Sequence, residues 1–183
     1  KFLSFLKQAF FSMNKVAIVT GAGTGVGKAT AVKLSDAGFS VILIGRRKDK
    51  LEETKAVCND QARVFPMDVS NEVDVNKCFE MIKKNFSRID VLFNNAGTFL
   101  SSKTIDEINF SEWKEVIEVN INGMFLFSKH AFSLMKNQSP MGGRIINNGS
   151  VSSITPRPGS IAYTSTKHAV TGMTKSLALD GRP

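Results

Sequence analysis

Short apolar runs and longer stretches of mixed character alternate along the chain. Val16-Ala17-Ile18-Val19, Val41-Ile42-Leu43-Ile44, Val64-Phe65, Val91-Leu92-Phe93 and Ile145-Ile146 are nearly continuous in apolar side chains. Runs of that kind suit parallel strands covered on both faces. Between them the period becomes helical. After Ser70, which is placed to cap, Val75, Cys78, Phe79, Ile82 and Phe86 form one stripe at i, i+3, i+4, i+7 and i+11. The spacing predicts further helices over 28–37, closed by Gly38, over 111–136, where Trp113, Ile117, Ile121 and Phe125 recur by fours, and over 163–179. Repeated strand, helix, strand with right-handed crossovers gives an α/β domain built on a doubly wound parallel sheet.

Composition narrows the class. A chain of 183 residues with 42% hydrophobic side chains has the size and apolar content of one globular domain. No apolar run approaches the roughly 18 residues of a membrane span, and no membrane partner is expected. Cys58 and Cys78 show neither CxxC spacing nor a neighbouring His. No metal site and no disulfide framework are therefore expected, and the compartment is read as reducing and cytoplasmic. Residues 1–12 combine apolar side chains with Lys1 and Lys7 and lack any acid. They are read as an N-terminal extension, with the domain proper over 13–183. At the other end the last helix closes on Gly181 and Pro183, so the sheet is expected to lack its last strands.

The first strand runs into Thr20-Gly21-Ala22-Gly23-Thr24-Gly25-Val26-Gly27 and then into a helix. Glycines there permit a tight turn and bring backbone N–H groups to a diphosphate at a helix N-terminus, where the dipole favours negative charge. Strand before and helix after make this a dinucleotide-binding turn of a Rossmann fold rather than an ordinary loop. The tip of the second strand meets the adenosine ribose in such a fold. An acid there bonds a 2′-hydroxyl, whereas a basic side chain accepts a 2′-phosphate. This chain has Gly45-Arg46-Arg47 and no acid before Asp49, so NADP(H) is favoured over NAD(H). The same basic turn and the net charge of +8 could suggest nucleic acid. The other basic residues are scattered, however, and neither a recognised binding motif nor a ladder of stacking aromatics is present, so no nucleic-acid partner is expected.

Several further motifs occur in a fixed order: Thr20-x-x-x-Gly-x-Gly, Asp68-Val69 after the third strand, Asn94-Asn95-Ala96-Gly97 after the fourth, Asn120, Ser150 after the fifth, and Tyr163-Thr-Ser-Thr-Lys167. From about Asn14 to Pro183 the chain resembles the single-domain oxidoreductase branch of the short-chain dehydrogenase/reductase superfamily. It lacks the GxxGxxG glycines of the sugar-nucleotide epimerase branch. The resemblance implies hydride transfer between a nicotinamide dinucleotide and a small carbonyl or secondary alcohol. Tyr163 would be the general acid/base, Lys167 would hold the nicotinamide ribose as well, Ser150 would bond the substrate oxygen, and Asn120 would bend the long helix and hold a relay water. Gly21, Thr24, Gly25, Val26 and Gly27 would surround the diphosphate, Arg46 and Arg47 the 2′-phosphate, Asp68 and Val69 the adenine, and Asn95, Ala96 and Gly97 the adenosine side.

Tyr163 and Lys167 are i and i+4 on one helix, so an ammonium can sit near the phenol and favour its anionic partner. Asn148 and Gly149 depart from the family, which more often has an apolar residue and a second Ser there. His130 and His168 are read as packing or surface residues. A pocket over 98–102 and 152–161, with Phe99, Leu100, Ile154, Pro156 and Pro158, suggests a largely apolar carbonyl substrate. The resemblance also implies a homodimer or homotetramer built on the two long helices, with Phe127, Phe132, Met135 and Met173 offering apolar surface. The alternative is a dinucleotide-binding redox sensor or scaffold without turnover; the complete set of Ser150, Tyr163 and Lys167 favours the enzyme.

Overall fold

The computed structural model describes residues 15–182, so the expected extension at 1–12 lies outside the described residues. Five strands, β1 (Val16–Thr20), β2 (Ser40–Gly45), β3 (Arg63–Pro66), β4 (Val91–Asn94) and β5 (Arg144–Asn147), form one parallel sheet in the order β3-β2-β1-β4-β5. The helices are α1 (Gly25–Asp36), α2 (Lys48–Lys55), α3 (Glu72–Asn85), α4 (Phe110–Ile117), α5 (Met124–Asn137) and α6 (Ile161–Asp180). This is the expected doubly wound α/β architecture.

Two cores explain why β1 and β2 are apolar without alternation. Val16, Ile18, Ile42 and Ile44 pack on one face with Val75, Phe79, Ile82 and Phe127 of α3 and α5. Val19, Val41 and Leu43 pack on the other with Ala31 of α1 and Leu51 of α2. Because successive strand residues point to opposite faces, each central strand needs an apolar residue at every position. The edge strand β5 departs from this rule: Ile146 is 42% exposed, because that face has no covering element among the described residues. The order in which strands are added reverses between β1 and β4, and a crevice opens at the carboxyl ends of those strands, the place where doubly wound sheets bind ligands.

Four sequence readings change. The segment expected as one helix over 111–136 is α4 and α5 joined by a wide π-type turn over Glu118–Gly123. Its buried stripe is Val116, Asn120, Met124, Phe127, Ala131 and Met135, whereas Phe125 is exposed and Trp113, Ile117 and Ile121 are half-buried. Phe127 and Met135 therefore belong to the core, not to an outer contact face. The cap of α3 is Asn71, whose side chain accepts from Asp74 N at 3.2 Å, while Ser70 turns its hydroxyl to Asp68 at 2.7 Å. Finally, α1 starts at Gly25, three residues before the apolar period becomes readable, so Gly25, Val26 and Gly27 form its first turn.

Candidate active site

Thr20 closes β1 and organises the turn that follows. Its hydroxyl oxygen accepts from Asn95 N at 2.9 Å and Ala96 N at 3.0 Å, which ties the ends of β1 and β4 together. Asn95 Nδ2 donates back to Thr20 O at 3.1 Å and Gly21 O at 3.3 Å. Gly21 has φ +65°, a left-handed conformation that side chains resist. Gly27 is required by proximity: a Cβ there would fall on the Gly21 carbonyl oxygen and within 2.6 Å of Asn95 Nδ2. At the N-terminus of α1, Thr24 makes no side-chain cap and the first turn carries no acid. The first N–H groups are left open to an anion, as a dinucleotide diphosphate requires.

A crevice of about 360 Å³ beside this turn is walled by Gly21, Thr24, Arg46, Arg47, Asp68, Val69, Asn95, Ala96 and Gly97. The sequence-predicted cofactor residues are thus brought together, with Gly25, Val26 and Gly27 behind the turn in α1. Lys50, Met67 and Val119 also line it and were not anticipated. Lys50 lies one helical turn beyond Arg46, a spacing that could have signalled a third cation; nothing local in the sequence marks Val119. Arg47 Nη2 reaches Thr24 Oγ1 at 3.5 Å, so the basic tip of β2 leans over the glycine turn. Asp68 accepts from Ser70 N at 2.9 Å and Ser70 Oγ at 2.7 Å. Burial raises its pKa, but those two bonds and the charge of Arg46 outweigh burial and hold the carboxyl below the usual carboxylate range.

The chemistry-bearing side chains come from three elements. Asn120, in the π-type turn, accepts from Thr98 N at 2.7 Å and donates to Thr98 O at 2.9 Å and Thr166 Oγ1 at 3.1 Å. Its carboxamide clamps the loop after β4 onto α6. Lys167, buried on α6, donates to Asn148 O at 2.7 Å, with Nζ 5.4 Å from the Tyr163 ring centroid. Burial lowers its pKa. Ser150 caps the short turn Val151–Ser153, which packs on α6; its Oγ accepts from Ser152 N at 3.1 Å, leaving the O–H proton to donate elsewhere.

Tyr163 faces a second cleft, of about 550 Å³, walled by Phe99, Leu100, Ile108, Pro158 and Ala162 together with Ser102, Ser160 and Arg157. Its lining is nearly evenly divided between polar and apolar surface, less apolar than expected, and Arg157 adds a cation; Ile154 is 83% exposed and Pro156 lines an adjoining hollow. His130 stacks on Phe79 with centroids 5.0 Å apart, and His168 bonds to Thr164 O, so both histidines have structural partners. Among the described residues no cluster of His, Cys, Asp or Glu could hold a metal ion, and no helix is long and apolar enough to cross a membrane.

Comparison with known proteins agrees with this geometry. A family described as short chain dehydrogenase matches residues 15–183. The chain is 34% identical over 169 residues to a 3beta-hydroxysteroid dehydrogenase of Mediterraneibacter gnavus, covering 91% of this chain and 60% of that protein. Among solved structures, ElxO with NADP bound superposes with a TM-score of 0.84 at 32% identity, covering 91% of this chain and 68% of that one. A 3-ketoacyl-(acyl-carrier-protein) reductase of Brucella melitensis complexed with NADH superposes with a TM-score of 0.87 at 30% identity, covering 92% and 71%. The chain thus spans about two thirds of the length of these relatives, and it belongs to the short-chain dehydrogenase family.

Proposed function

We propose that this chain interconverts a carbonyl compound and a secondary alcohol with NADP(H) as redox partner, Tyr163 acting as general acid/base. The observation that carries the reading is the placement of Lys167: a buried ammonium beside the Tyr163 ring, where the second cleft ends. A bound nicotinamide supplies or accepts the hydride. The residues of the chain do the rest. Tyr163 delivers its hydroxyl proton to the substrate oxygen in reduction and takes one back in oxidation. Ser150 directs its remaining O–H at the same oxygen. Lys167, beside the Tyr163 ring, would bond the nicotinamide ribose. Asn120 acts by holding Thr98 and Thr166 in place and would hold the relay water.

The crevice fits a dinucleotide because an uncapped helix start, a turn whose Gly27 admits no Cβ, and the basic pair Arg46 and Arg47 lie along one wall. Gly21, Thr24, Gly25, Val26 and Gly27 hold the diphosphate, Asp68 and Val69 the adenine, and Asn95, Ala96 and Gly97 the adenosine side. Preference for the 2′-phosphate rests on Arg46, since one charge-assisted contact is worth about 1.5–3 kcal/mol. Arg46→Ala should weaken NADPH about tenfold or more and leave NADH nearly unchanged. The parent should also consume NADPH with aldehydes or ketones. Equal affinity of the parent for both dinucleotides refutes the NADP assignment, and binding without consumption across a broad carbonyl panel favours the sensor.

A further inference from the structure

The two ends of the site are joined by a residue whose identity departs from the family pattern. The carbonyl of Asn148 accepts from Lys167 Nζ at 2.7 Å, and its Nδ2 donates to Asn95 Oδ1 at 2.9 Å. Asn95 has no freedom to turn its amide around. Two carbonyls of the glycine turn, Thr20 O at 3.1 Å and Gly21 O at 3.3 Å, both require its NH₂ group. Its oxygen must therefore face the end of β5, where it needs a donor. An apolar side chain at 148 offers none; the carboxamide of Asn148 does. Asn148 is itself anchored, because its N–H donates to Asn94 O at 2.9 Å.

We propose that Asn148 is a positioning residue for dinucleotide binding: its side chain fixes Asn95 and thereby the Thr20–Gly21 turn, while its carbonyl fixes Lys167. The diphosphate end and the ribose end of the crevice then hold one mutual geometry. Gly149 beside it meets nothing within 4 Å of a built Cβ, so the neighbouring departure from the family carries no comparable contact.

The inference rests on the dinucleotide-binding reading above, and the test separates the two. Asn148→Leu keeps the backbone carbonyl under Lys167 but leaves Asn95 Oδ1 without a donor. NADPH affinity, from fluorescence titration, should fall about threefold to tenfold, the range for one lost neutral hydrogen bond. In an Asn95→Ala background the same substitution should have almost no effect on NADPH, because the partner is already gone. Where the leucine does not fold, Asn148→Ala removes the same donor without added bulk. Unchanged NADPH affinity overturns the proposal, as does an effect that persists in the Asn95→Ala background. A parent that binds no dinucleotide overturns the functional reading, and this one with it.

Discussion

Gly27→Ala puts one methyl group into the tightest point of the site. Its Cβ would fall on the Gly21 carbonyl oxygen, 2.8 Å from the Gly21 carbonyl carbon and 2.6 Å from Asn95 Nδ2. Neither the backbone of a turn held by Thr20 nor a side chain bonded to two carbonyls can swing aside freely. Overpacking of this kind costs about 1–3 kcal/mol, and losing an Asn95 bond about 1 kcal/mol more. The better helix propensity of Ala returns about 0.5–1 kcal/mol. The net loss is about 1–3.5 kcal/mol, or roughly 2–14 °C in Tm for a domain of this size. Thermal unfolding followed by circular dichroism reads it directly. Gly149→Ala is the control, since its Cβ meets nothing within 4 Å, and it should move Tm by no more than about 2 °C. A Gly27→Ala protein as stable as the parent, or an equal fall in the control, refutes the packing account of the turn.

Acid sensitivity should centre on Asp90, which accepts from Val16 N at 2.8 Å and from Arg88 Nε at 3.0 Å and Nη2 at 2.6 Å. Burial raises its pKa, but those bonds and the charges of Arg88 and Lys15 outweigh burial and hold the carboxyl below its ordinary value. The folded form then binds fewer protons than the unfolded one, so the stabilisation is present above about pH 4 and fades as pH falls through the folded pKa. Asp90→Asn should be about 1–3 kcal/mol less stable than the parent in urea at pH 7, with the gap narrowing as pH falls below about 4; a gap that stays constant with pH contradicts this. Lys167→Ala should lower both NADPH affinity and turnover, measured by titration and initial rates, and loss of turnover alone would remove the ribose from its role. Assembly through the α4–α5 and α6 surfaces, where Phe110 and Phe125 are exposed, predicts a dimer or tetramer by light scattering at micromolar concentration, and a monomer mass opposes it.

What the sequence reveals depends on how local the determinant is. β1 and β2 were readable because both faces of a central strand are covered, which writes an apolar residue at every position. The glycine turn and the Tyr163/Lys167 pair were readable because their spacing itself places them together. The π-type turn was not readable from spacing; only the family resemblance implied a bend at Asn120, whose bonds reach Thr98 and Thr166, 22 and 46 residues away. The buried face of α4–α5 shifts with that turn, so a stripe spaced by fours marks the wrong side. Ser70 and Asn71 are equally good caps in isolation, and only the pull of Asp68 on the Ser70 hydroxyl decides between them. The contact of Asn148 with Asn95 spans 53 residues and has no sequence signature at all.

The central claim is that Tyr163 moves the proton, and Tyr163→Phe isolates that one atom because the ring and its place beside Lys167 remain. NADPH affinity and carbonyl reduction are to be measured side by side on parent and variant. The account predicts affinity within about twofold of the parent and a fall in kcat of about 10² to 10⁴, the usual contribution of general acid catalysis. A variant that reduces carbonyls at the parental rate would contradict it.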